Sequence, residues 1–469
     1  MTTVYCGATE NCNYFETHPL ISGKSPCNFK LLRYLDIITG KHMDSVPKKP
    51  SLADKLKSLG VKVGTADIPA SKHKVGPSIQ DVLAGRFVST RRGEAFVYEE
   101  TYKTDYRHGL ARLETEAPLN LLAAWANDSR LMNLPLEAFA FLDTETSGMA
   151  GGTGTYAFLV GVGRFEANAS GRAFRLLQFF MRDPGEEPAL LEALAEFLAP
   201  CSALVTYNGK AFDAPLLKTR YTLHSIPIPF EDYVHVDLLH LARRLWRDRL
   251  PSRTLKYIEE NVLDAPRTSD EVPGYEIPWL YFDYLRTGDA APLKGVFYHN
   301  AMDVVALAAL FSHTAAMLHD PFDERIQHGL DVIALAKLHE DLDRWEIAAR
   351  LYERGLEMPI NEEDFWKAVR RLAVLQKRRG DLEEAVRWWE QAAAQGHVYA
   401  HIELAKYYEH RRRDYPEAQK WVENALLIVD SDEVMPAYVR EHWQAEFQHR
   451  LERLEGKLKS KPAKGKKHV

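Results

Sequence analysis

The chain has 469 residues, enough for about three domains. With 46% hydrophobic and 27% charged residues it has the composition of an ordinary globular protein, and a formal net charge of −6 excludes a basic coat that grips duplex by charge alone. Four cysteines make no disulfide framework, and no charge-free apolar run of about eighteen residues reads as a membrane span. The start, MTTVYCGATENCNYF, lacks the basic region and apolar run of a signal peptide, so the expected compartment is the reducing cytoplasm.

Residues 1–75 are weakly patterned. Within them Ser51–Gly60 reads as a short helix with a serine cap and a glycine stop, and residues 69–77 as a linker. Cys6, Cys12, His18 and Cys27 match no Cys-x-x-Cys zinc spacing and are read as free side chains. Between 85 and 116, FVST, EAFVYEETY and GLARLETE predict two or three strands, with Arg91-Arg92-Gly93 as a hairpin turn. The arginines and tyrosines here (Arg86, Arg91, Arg92, Tyr98, Tyr102, Tyr106, Arg107) fit a surface that stacks single-stranded bases, or a small sheet packed on the next domain.

The apolar run Ala138–Leu142 predicts a buried strand ending in Asp143-Thr144-Glu145. Residues i and i+2 of a strand face one side, so Asp143 and Glu145 point together. Like charges buried together repel, and a hard cation such as Mg²⁺ or Mn²⁺, which prefers oxygen ligands, removes that cost. The pair reads as half of a divalent-metal site, or as a solvated strand end in which Asp143 or Thr144 caps the next turn. GMAGGTG at 148–154 lacks the ending of a phosphate loop and is expected to be a hairpin beside the strand.

Strands at 155–165 and 173–181, a helix at 186–199, a strand at 203–207, a helix at 211–222, a strand at 233–237 and a helix at 238–247 follow. Asn208-Gly209 is a turn signal that puts Asp213 in the first turn of its helix, as a metal ligand or as a helix-start aspartate favoured by the macrodipole. Asp237 is expected to cap the helix that follows it. After a helix at Thr254–Val262 comes the excursion VPGYEIPWLYFDYL, whose Tyr275, Trp279, Tyr281 and Tyr284 are expected in the core rather than stacked on bases. Ala301–Leu318 is helical in pattern; if the helix includes His299, then His299 and Asp303 share a face.

Asp143-x-Glu145, Asn208-Gly-Lys-Ala-Phe-Asp213 and His299-x-x-x-Asp303 together resemble the three motifs of the DEDD exonuclease superfamily, which has the ribonuclease H-like fold. Within it, VTYNGKAFDAPLL, HVDLLHLARRLW, LPSRTLKYIEENVL and YHNAMDVVALAAL resemble the YprB family of predicted nucleases, strongly over 135–318 and more weakly over the flanks. One departure stands out. In that superfamily the base is a histidine five residues before the last aspartate or a tyrosine four before; here Tyr298 is five before and His299 four before. His299 is taken as the base because four residues make one helical turn and an imidazole titrates near neutrality, with Tyr298 as the runner-up.

The resemblance implies an α/β ribonuclease H-like domain with a mixed five-stranded sheet flanked by helices. In it Asp143, Glu145, Asp213 and Asp303 would hold two Mg²⁺ or Mn²⁺ ions roughly 3.5–4 Å apart and hydrolyse a phosphodiester from the 3′ end. Thr144, Asn208, Lys210 and Tyr298 are the candidate substrate contacts on single-stranded DNA or RNA. From about residue 325 the texture turns helical. Asp381–Glu390 repeats at Asp414–Glu423, and Ala348–Glu353 matches Ala385–Glu390, which resembles tetratricopeptide repeats and implies a protein partner. The last stretch, 456–469, has six lysines and no acid and is expected to be a disordered basic tail. The expected division is 1–130, a segment with a small β-rich region; 131–320, the nuclease domain; 321–455, the repeats; and 456–469, the tail. The alternatives are an endonuclease of ribonuclease H or junction-resolving type, and a scaffold with a retired nuclease domain.

Overall fold

The computed structural model describes residues 76–460 apart from 104, 149–153, 169–170 and 433. The expected Ser51–Gly60 helix, Cys6, Cys12, His18, Cys27 and the middle of the 148–154 hairpin lie outside the described residues.

The strands are β1 (Arg86–Thr90), β2 (Gly93–Lys103), β3 (Arg107–His108), β4 (Ala111–Arg112), β5 (Phe139–Thr146), β6 (Ala157–Asn168), β7 (Gly171–Phe180), β8 (Ala203–Thr206) and β9 (Val234–Asp237). Seven of them form one sheet in the order β1-β2-β7-β6-β5-β8-β9, with β3 and β4 a separate ribbon. β5, β8 and β9 run parallel, and the other pairings are antiparallel. The sequence leads to five strands; the sheet has seven because the β1–β2 hairpin adds to its edge, β2 pairing with β7 from Phe96↔Phe180 to Lys103↔Ala173. The sheet therefore runs across the 130/131 division. Tyr102 and Tyr106 of this region meet edge to face at 4.8 Å and pack on the core. Glu99 binds Arg175 of β7, at 2.5 Å from Nε, and Arg86.

Alternation along β5 splits the core in two. Phe139 and Phe141 face the long helix Leu293–His319, Phe311 of which lies 5.2 Å and 5.6 Å from their rings. Ala140 and Leu142 face the other layer, with the helices Glu187–Leu198, Asp213–Leu223 and Ile277–Thr287. The Leu293–His319 helix is long and apolar enough to cross a membrane by length and composition. It is the core helix of this layer: 78% of its most apolar window is buried by the protein itself.

Beyond it, helices at Gly329–Asp341, Trp345–Leu356, Glu362–Arg379, Leu382–Ala394, Val398–Tyr407, Tyr415–Ser431 and Ala437–Ser460 pack each on the next. Asp381 and Asp414 each cap their helix by accepting from the backbone N–H three residues on, and Ala348, Ala385 and Ala418 are fully buried where helices touch. The core of the sheet continues through Leu335, Leu351 and Leu372, and Arg249 binds Asp331 at 2.7 Å, so the first of these helices share the core of the sheet domain. The first residues of the expected tail, 456–460, belong to the last helix, which runs to Ser460, and the rest of it lies outside the described residues. Arg450, Arg453 and Lys457 of that helix converge on buried Glu409 and hold it in place.

Candidate active site

β5 is longer than its parallel neighbour. β8 pairs with it only over Phe139–Phe141, so Asp143 and Glu145 lie past the end of that pairing, at the carboxyl ends of the strands where open α/β sheets bind ligands. They continue the row of Phe139 and Phe141, and therefore face the Leu293–His319 helix. Where Phe311 of that helix covers the phenylalanines, its earlier turns bring Asn300, His299 and Asp303 over the carboxylates. The β5–β6 register shifts between Glu145 and Thr146, a bulge that ends regular pairing directly after the second acid.

Asp213 arrives from the other layer. The chain leaves β8 and turns at Asn208, whose φ of 64° is the left-handed conformation that asparagine tolerates well. Buried Asp237 fixes that turn: its carboxylate accepts from the N–H of Asn208 at 2.7 Å and of Lys210 at 3.1 Å, and caps its own helix by accepting from Leu239. Thr144, on the opposite face of β5 from Asp143, donates its hydroxyl to Asp213 Oδ1 and ties that helix to the strand.

Glu145, His299 and Asp303 present ligand atoms that all lie within 4.8 Å of one another. His299 Nε2 is 3.4 Å from Asp303 Oδ2 and 3.9 Å from Glu145 Oε1, and its Nδ1 faces Glu271 Oε1 at 3.4 Å. The acids perturb one another. Burial, then the charges of Asp303 and Asp213, push Asp143 well above the usual carboxylate range. Burial, then Asp143 and the other two, do the same to Glu145. Burial pushes Asp213 up to about 6 despite the Thr144 hydrogen bond. A set of hard oxygen donors whose ionisation is opposed by their own crowding fits a divalent cation.

Two supporting networks carry no sequence signal of their own. Asn300, fully buried, donates Nδ2 to Asp143 Oδ2 at 2.9 Å, and its Oδ1 accepts from Gln178 Nε2 at 2.9 Å. Gly161, the β6 partner of both Asp143 and Gln178, makes room for it: a Cβ there would lie 2.3 Å from Asn300 Oδ1. Arg267, 2% exposed, binds Glu259 at 2.6 Å, Glu271 at 2.9 Å and Asp303 Oδ1. Its guanidinium fork orients Asp303 and leaves Oδ2 toward His299.

The other candidate contacts lie apart. Lys210 is exposed and lines a surface cavity with Lys218, Tyr233 and His235. The Tyr298 hydroxyl accepts from the Thr268 N–H at 3.3 Å. Asn208 shapes the turn before Asp213.

A mixed sheet with acids at the end of its first central strand and on helices of both layers is the architecture of the ribonuclease H-like proteins. The family model described as RNase_H superfamily matches residues 140–315, which contain all of these acids. YprB of Bacillus subtilis (strain 168), an uncharacterized protein, is 34% identical over 345 residues, 70% of this chain and 80% of that one. The chain belongs to the YprB family of ribonuclease H-like proteins, and its function is of nuclease type.

Proposed function

We propose that the protein is a metal-dependent 3′→5′ exonuclease acting on single strands of DNA or RNA. The observation that supports this reading is that Glu145 and Asp303 meet at His299, with the charges of Asp143, Asp213 and Asp303 close enough to raise one another. These carboxylates would hold two Mg²⁺ or Mn²⁺ ions. Such ions supply Lewis-acid activation of water and neutralise charge on the phosphate. Asn300 fixes the Asp143 carboxylate from behind, and Arg267 does the same for Asp303. His299 Nε2, aimed between Glu145 and Asp303, takes the proton of the attacking water, while Glu271 faces Nδ1 and sets the ring's orientation. Tyr298 is the weaker candidate for that proton, because its hydroxyl is turned to the Thr268 backbone. The tetratricopeptide-like helices would hold a protein partner.

The test is hydrolysis of single-stranded oligonucleotides in Mn²⁺ and in EDTA by the wild type and Asp303→Asn. Turnover that needs Mn²⁺ and falls about a hundred- to a thousandfold in the variant is expected. Equal turnover by the variant would remove Asp303 from the machinery.

A further inference from the structure

Exposed Phe, Tyr and Trp side chains are rare among the described residues: Phe212, Tyr275, Trp279, Phe282 and Tyr438. All but Tyr438 sit on two segments, one leading into Asp213 and the other following Gly274, which lies beside His299. Phe212, 59% exposed, directly precedes Asp213. Tyr275, 77% exposed, follows Gly274, where a Cβ would lie 3.9 Å from His299 Nε2. Trp279, 71% exposed, opens the Ile277–Thr287 helix, and Phe282 lies three residues on, on the same face. The opposite face of that helix is spent on the core. Ile277 and Tyr281 are fully buried, and Tyr281 stacks on Phe158 at 3.9 Å. The exposed rings are therefore not needed to hold the helix down.

We propose that Tyr275, Trp279 and Phe212 form a base-stacking platform that seats the unpaired terminal nucleotides of a single strand beside Asp143, Glu145, Asp213 and Asp303. The inference rests on the nuclease reading above and names how its substrate is held. A duplex offers no free base faces along its length, whereas every unpaired base has one. The platform segment also carries Glu276 and Asp283, so phosphate attraction contributes little and the contact is made through the rings. Salt dependence of strand binding should accordingly be shallow.

The experiment is fluorescence anisotropy of a labelled 12-nucleotide single strand and of a blunt duplex, in EDTA so that nothing is cut. The full-length wild type, Tyr275→Ala/Trp279→Ala and Tyr275→Ala/Trp279→Phe are compared. The wild type is expected to prefer the single strand. The double alanine variant should lose about tenfold or more in affinity, and phenylalanine at 279 should recover part of it. Abasic residues at the strand's 3′ end should weaken the wild type and leave the double alanine variant unaffected. Equal affinity of wild type and double alanine variant, equal binding of duplex and strand, or a wild-type dimer on size exclusion that the variant loses would each overturn the proposal. Hydrolysis separates the two readings. If Mn²⁺ gives no cleavage but the variant still loses strand affinity, the nuclease reading falls and the platform stands. If cleavage occurs and strand affinity is unchanged in the variant, the platform falls and the nuclease stands.

Discussion

Gly161→Ala is the sharpest probe of how the site is held, because it touches no carboxylate. An alanine Cβ would lie 2.3 Å from Asn300 Oδ1, 2.9 Å from its Cγ and 3.0 Å from Val304 Cγ2. The flanking strands β5 and β7 pair on both sides, so the backbone cannot retreat and Asn300 must move. Overpacking a filled core costs about 1–3 kcal/mol. Moving Asn300 also breaks its 2.9 Å bond to Asp143, and loss of a ligand's supporting hydrogen bond costs about 10–100-fold in metal affinity. Isothermal titration with Mn²⁺ should show that loss in Gly161→Ala and in Asn300→Ala alike. Both substitutions remove one link, so Gly161→Ala/Asn300→Ala should bind Mn²⁺ no more weakly than the worse single variant. Wild-type Mn²⁺ affinity in Gly161→Ala would refute the link between Asn300 and Asp143. A multiplicative loss in the double variant would show that the two act separately.

Asp213, with its carboxyl raised from 3.8 to about 6, is a group whose ionisation the fold opposes. Its contribution is fully present below about pH 4 and is lost as pH rises through about 6, a change of about 3 kcal/mol for a shift of that size. Urea melts in EDTA should show the metal-free protein weakening over this window, and an Asp213→Asn variant should show a shallower slope, Asp143 and Glu145 keeping their share. Arg267→Met leaves Glu259, Glu271 and Asp303 without their shared cation and should cost about 3–5 kcal/mol, measured by the same melts. Glu409 is raised by burial, but Arg453 and Lys457 outweigh this and hold it down at about 2. Its stabilisation therefore lasts down to acid pH and fades as pH falls from about 4.5 toward 2. Glu409→Gln should speed hydrogen exchange in Ala437–Ser460 at neutral pH while the sheet stays protected.

What was legible in the sequence was local. AFAFL followed by Asp143 and Glu145 reads as strand and strand end because period and termination lie within eight residues of β5. The turn at Asn208 was legible for the same reason, although the helix begins at Asp213 rather than 211 because the turn occupies the residues between. The two strands added at the edge, β1 and β2, were legible as strands, but the pairing of β2 to β7 joins residues far apart in the chain and leaves no local mark. Asn300, Gly161 and Gln178 are each unremarkable in their own segments and matter only once β5, β6, β7 and the long helix are assembled. Arg267 and Glu271 lie in a loop with no periodicity. The aromatic excursion is only half in the core. Tyr281 and Tyr284 pack inward as expected, but helical phase turns Trp279 and Phe282 outward, and Tyr275 precedes the helix in an exposed turn.

The most direct measurement uses 3′- and 5′-labelled single strands of DNA and RNA with Mn²⁺ or EDTA, comparing the wild type with Asp143→Ala. The account predicts a Mn²⁺-dependent ladder that shortens from the 3′ end, absent in EDTA and in the variant. Internal cuts would contradict the exonuclease mode and point to an endonuclease. A folded wild type that cleaves no strand and no branched duplex in Mn²⁺ would contradict the central claim and leave the helical repeats as the working part of the molecule.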